Sequence, residues 1–167
     1  MLPDKNLPKI LLSIILLICL LLRVSQIDYP FAFKWGDGER DTLVANHIVS
    51  YQEYPLIGPH GLLSEKGLHN SPFYYYFLAF FLYFYNSPIT LALLNISLQL
   101  LTLVILYLLG KNLFGEKVAL LSTLLFGLNP HLISQSEYIW QPYVSQPFGL
   151  TSFYLLFLAF SKKIIFF

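Results

Sequence analysis

The charged residues of this chain are few and clustered, and the densest cluster is Lys34-Trp35-Gly36-Asp37-Gly38-Glu39-Arg40-Asp41. Asp37 stands between two glycines, whose backbone freedom lets a side chain be aimed into a cavity. The same residue also fits a helix cap, since an Asp ahead of a helical pattern satisfies the free N–H groups of the first turn. Both readings can hold for one residue. Arg40 and Asp41 read as a surface ion pair of little energetic weight. A second polar group follows much later: His131, Glu137, Trp140 and Gln141. A lone His at a membrane boundary is most often structural, and Glu137 is the stronger candidate because its loop shares a side with Asp37. Asn95, Gln99 and Thr102 recur at helical spacing, and polar side chains so placed in a span face neighbouring helices and bond across them. Cys19 is the only cysteine, which excludes a thiolate metal centre and marks it as a small buried hydrophobe. No ligand spacing demands a metal, although acidic residues beside a phosphate can hold a divalent cation.

The elements that must position these residues are set by hydropathy. Hydrophobic residues make up 56% of the chain and charged residues 11%, too little charge to clothe a soluble domain of this size. The net charge of +1 gives no electrostatic footprint for nucleic acid. A span needs roughly 20 mostly apolar residues, and about four fit: 8–27, 89–109, 118–133 and 143–160. The expected fold is therefore all-α and integral to the membrane. The first run is preceded by Lys5 and Lys9 like a signal peptide, but no small-x-small cleavage site follows it. It reads as a retained span, with Arg23 snorkelling to the far interface.

Between the first two spans the sequence predicts two interfacial helices, about 38–51 and 72–85. The first carries Leu43, Val44, His47, Ile48 and Tyr51 along one stripe. The second is too short to cross and is aromatic rather than aliphatic, as suits the membrane–water boundary. If it does not cross, Lys5, Lys9, Lys111, Lys117, Lys162 and Lys163 all fall on one side, which the positive-inside rule makes the cytoplasm. The N-terminus is then cytoplasmic, and the loops bearing Asp37 and Glu137 are extracytoplasmic at the plasma membrane. The chain's last residues, Ile164 to Phe167, read as the first turn of another span, so a longer protein is expected.

In this order the features resemble the N-terminal part of the membrane glycosyltransferases of the GT-C fold. These include the protein O-mannosyltransferases and the aminoarabinose transferases that modify lipid A. The family pattern of an Asp followed three positions later by an Arg is matched by Asp37 and Arg40. Asn70-Ser71-Pro72-Phe73-Tyr74-Tyr75 matches its Pro-aromatic segment loosely, and Leu109-Gly110-Lys111-Asn112-Leu113-Phe114-Gly115 matches its turn between spans. In the short second loop many relatives carry an Arg where this chain has Glu137. The resemblance implies transfer of a sugar from a polyprenyl-phosphate carrier to a glycan, lipid or protein acceptor outside the cell. It also implies Asp37 as the general base. Lys34 and Arg40 would meet the leaving phosphate, with Glu39 and Asp41 in support. The rival reading is a non-catalytic membrane scaffold or a lipid-binding component of a transporter.

Overall fold

The computed structural model describes residues 6–25, 27, 36–59, 69–136 and 139–161. Among them the chain is all-helical: α1 (Leu7–Val24), α2 (Gly36–Tyr51), α3 (Phe73–Phe84), α4 (Pro88–Phe114), α5 (Glu116–Gly127), α6 (Pro130–Ser134) and α7 (Gln141–Ser161). Three of these helices, α1, α4 and α7, are long and apolar enough to cross a membrane. The chain is a membrane protein on that ground.

The four expected spans are met at three places and altered at the fourth. The run 118–133 is not one helix but is divided between α5 and α6. The break has a local cause. A residue before proline is pushed out of the helical region, and Asn129 is extended at φ −61° and ψ 118°. Its side chain accepts from the N–H groups of His131 and Leu132, so a new helix starts at Pro130 instead of the old one continuing. With 12 residues, α5 is about 18 Å long, against the roughly 30 Å of a bilayer core.

α4 is the mast of the bundle. It packs against α5, α7, α1 and α3. Its turn into α5 is tight because Gly110 lies against Ala119, where an added Cβ would sit 3.3 Å from Ala119 Cα and Cβ. Lys111 Nζ and Tyr107 Oη both reach Glu116 Oε1 there, at 2.6 and 3.0 Å. α1 crosses α5 at Gly127, where a Cβ would come within 2.5 Å of Cys19 Sγ, so only glycine fits that approach. Cys19 is buried and free, as expected of a small apolar filler. Because the C-terminal ends of α1 and α5 meet, those two helices run the same way, and Lys9, Lys111 and Lys117 share the opposite end of the bundle.

The two helices expected between the first two spans occur at 36–51 and 73–84, within two residues of their predicted limits. They form a separate layer, α2 on α3 and α3 on α4. The stripe expected on α2 coincides only in part with the face that packs, since Ile48 is buried and Val44 lies against the core. Leu43, His47 and Tyr51 point outward, and the buried face is Gly38, Asp41, Ala45 and Ile48. Small residues win here because they let α2 approach the bulky Tyr74, Tyr75, Leu78 and Leu82 of α3, which fill the same core.

Candidate functional site

The first turn of α2 gathers three of the residues singled out by sequence. Arg40 donates from Nε to Asp41 Oδ1 at 2.9 Å, and its Nη2 lies 2.7 Å from the same oxygen. Its Nη1 donates to Asp37 Oδ1 at 2.9 Å. Asp37 and Arg40 are three apart and face one another across one helical turn. Asp41 is the next residue round, and the guanidinium folds over to reach it.

The two carboxylates differ sharply in burial. The Asp41 side chain is 2% exposed and that of Asp37 43%. The surface ion pair expected between Arg40 and Asp41 is thus half wrong. Arg40 is partly exposed, but Asp41 belongs to the face that packs on α3. Burial pushes the Asp41 carboxyl above its ordinary range, against the opposing pull of Arg40. Burial works to lower the Arg40 guanidinium, but Asp41, with Tyr75 and Asp37, offsets it and leaves it raised. The Tyr75 hydroxyl of α3 lies in the same field and is raised too, first by burial and then by Asp41. Asp37 does not precede the helix as a cap. It lies inside the first turn, and its carboxylate accepts from Arg40. Glu39 shares that turn but joins no ion pair among the described residues. Lys34 and Glu137 lie outside the described residues.

No described hydrogen bond or ion pair joins His131, Trp140 or Gln141 to Asp37, Arg40 or Asp41. His131 is exposed on α6, which packs against α1 and α5. Trp140 stacks edge-on against Tyr143 with centroids 5.5 Å apart, and its carbonyl receives the N–H groups of Tyr143 and Val144 at the start of α7. Gln141 is exposed beside a cavity between α3 and α7. Among the described residues no three His, Cys, Asp or Glu side chains converge as a metal site would need.

The polar stripe on α4 does bond to its neighbours. Asn95 Nδ2 donates to the carbonyls of Gln135 and Ser136 at 3.1 and 3.0 Å, and Gln99 Oε1 accepts from Ser136 Oγ at 3.1 Å. Thr102 turns back to the Leu98 carbonyl of its own helix. The chain at 135–136 is thereby held about 10 to 16 Å along α4 from its first residue.

Arg23 is the residue that sequence reasoning misplaced. It does not reach an interface. It is 1% exposed, and donates to Gln99 Oε1 at 3.1 Å, to the Gly127 carbonyl at 3.0 Å and to the Cys19 carbonyl at 3.2 Å. A cation thus closes the C-terminal end of α5, the end of a helix that favours positive charge. A second pair, His47 Nδ1 and Glu53 Oε2 at 3.2 Å, was also hidden, because His47 reads as part of an apolar stripe. Both its members are more than half exposed.

No family model matches this chain, and no curated protein or solved structure does either.

Proposed function

We propose that this chain is a membrane glycosyltransferase of the GT-C type, moving a sugar from a polyprenyl-phosphate carrier to an acceptor on the extracytoplasmic side of the plasma membrane. One observation carries the reading: a reachable carboxylate, Asp37, held by an arginine that is itself anchored on the buried Asp41. The cluster belongs to the α2–α3 layer, which follows the C-terminal end of α1 and so lies away from Lys9, Lys111 and Lys117. By the positive-inside rule those lysines face the cytoplasm and the cluster faces out. In this reading α5 and α6 together make the fourth crossing, and α2 and α3 lie in the interface.

The roles follow from exposure. Asp37 takes the proton of the acceptor hydroxyl as its oxygen bonds to the anomeric carbon. The bond from that carbon to the phosphate oxygen breaks, and its electron pair leaves with the polyprenyl phosphate. Arg40 has its fork committed to two carboxylates, so it is a positioning residue that fixes Asp37, and Asp41 in turn fixes Arg40. The three together carry net negative charge, which leaves the leaving phosphate to Lys34. A divalent cation bound with the donor phosphate is compatible with this arrangement.

Titration of the chain in lipid nanodiscs with a polyprenyl-phosphate sugar tests the reading. Saturable binding that weakens at least tenfold in Lys34→Ala supports it. One observation favours the other class: Arg23 is a buried charge inside a span with no carboxylate partner among the described residues, as in a transporter component. Binding that ignores Lys34 and Asp37 but is lost in Arg23→Gln would select that alternative.

A further inference from the structure

Between α3 and the first half of α7 lies a cavity of about 260 Å3 that plays no part in the chemistry above. Its walls are Phe73, Tyr74 and Phe77 on α3 and Val144 and Phe148 on α7. The Phe77 and Phe148 rings meet edge to face across it, with centroids 6.3 Å apart. These walls are hydrocarbon and aromatic, and they suit an unbranched chain rather than a sugar.

The rim decides what the chain is attached to. It consists of Ser71, Gln141 and Ser145, all neutral. Ser71 Oγ accepts from the Phe73 N–H at 3.2 Å, which leaves its hydroxyl proton to donate outward. The Gln141 side chain makes no hydrogen bond among the described residues, so its amide also offers two donors. Among the described residues no lysine, arginine or histidine lines the cavity. A phosphate placed at this rim would find no cation among the described residues, whereas an ester carbonyl would find the neutral donors it needs. The helices bordering the cavity present exposed Phe73, Phe80, Phe84, Phe148 and Phe153, the kind of surface that faces lipid in a chain with three apolar spans.

We infer that this cavity is a binding site for one acyl chain of a glycerophospholipid, whose ester carbonyl bonds to Ser71 and Gln141. The lipid wedges α3 to α7 and so sets how the interfacial layer rides on the bundle. The inference rests on the membrane setting alone and stands or falls separately from sugar transfer.

The test is native mass spectrometry of the full chain after extraction from vesicles of dioleoyl phosphatidylcholine. The wild-type chain retains one phospholipid. Ser145→Trp, which fills the cavity, lowers the retained fraction at least tenfold, and Gln141→Leu lowers it several-fold. Leu156→Trp, on the exposed face of α7, leaves it unchanged. Helical circular dichroism checks each variant, and the exposed Gln141 position serves if Ser145→Trp does not fold. Equal retention by wild type and Gln141→Leu overturns the ester contact, and no retained lipid on the wild-type chain overturns the site. Displacement of the phospholipid by an equimolar polyprenyl phosphate also overturns it, because the cavity would then belong to the sugar carrier.

Discussion

Two arginines in this molecule are enclosed by its fold, and they are satisfied in opposite ways. Arg40, on α2, meets two carboxylates within 2.9 Å and keeps contact with solvent. Arg23, within the bundle, is almost wholly enclosed and among the described residues meets only neutral oxygens: two backbone carbonyls and the Gln99 amide. A charge near water can be balanced by other charges and still exchange partners. A charge inside a bundle has no such exchange, so its hydrogen bonds become structural. The first arrangement is suited to proton transfer and the second to holding a helix break in place. Under the proposed function, chemistry would fall to the region of Arg40 and architecture to that of Arg23.

The comparison breaks most visibly if Arg23 is removed. Arg23→Ala leaves the Gly127 carbonyl without its side-chain donor and Gln99 Oε1 with Ser136 Oγ alone in a buried site, and should cost about 3 kcal/mol or more in detergent–SDS unfolding. A loss below about 1 kcal/mol would mean that α5 ends without help from Arg23. Next in size is the approach of α1 to α5. Gly127→Ala drives a Cβ to 2.5 Å from Cys19 Sγ, and overpacking of this kind costs about 1 to 3 kcal/mol. Adding Cys19→Ala should recover most of that loss, which a double-mutant cycle reads directly.

In the outer layer the effects on stability are smaller and split by burial. Asp41→Ala exposes the loss of a buried ion-pair partner and should cost about 2 kcal/mol, while Asp37→Asn, at a half-exposed pair, should stay under about 1 kcal/mol. The smallest effect is on pH dependence. Asp41 has its folded carboxyl raised by burial, so its contribution to stability is present at low pH and is lost as pH rises from the unfolded value of 3.8 through the folded one. Stability measured across that acidic window should carry this component in the wild type and lack it in Asp41→Asn. An unchanged profile in the variant would remove Asp41 as its source.

What the sequence revealed follows from the range of the forces involved. The limits of α2 and α3 are local, marked by Asp37 and its glycines and by Pro72, and they were legible within two residues. The stripe Asn95–Gln99 was legible because a polar side chain in a span must find a partner, even though the partners, Gln135 and Ser136, lie 36 residues or more away. The division of α5 from α6 has a local mark in Asn129-Pro130, but the closure of α5 was not legible. Val118 to Ile133 reads as one apolar run, and the ending of α5 at Gly127 is closed by Arg23, 104 positions earlier. The packing face of α2 was missed for a different reason. Besides Ile48 it is made of Gly38, Asp41 and Ala45, which no apolar periodicity reports, and their fitness lies in letting Tyr75 and Leu78 come close. That same misreading left Asp41 at the surface and concealed the anchor of the candidate site.

The most direct test of the central claim is sugar transfer by the full chain in vesicles, following label from polyprenyl-phosphate sugars into glycan, lipid and protein fractions. The account predicts that Asp37→Asn abolishes transfer while keeping insertion and stability, and that Asp37→Glu restores part of it. Transfer by Asp37→Asn at the wild-type rate would contradict it.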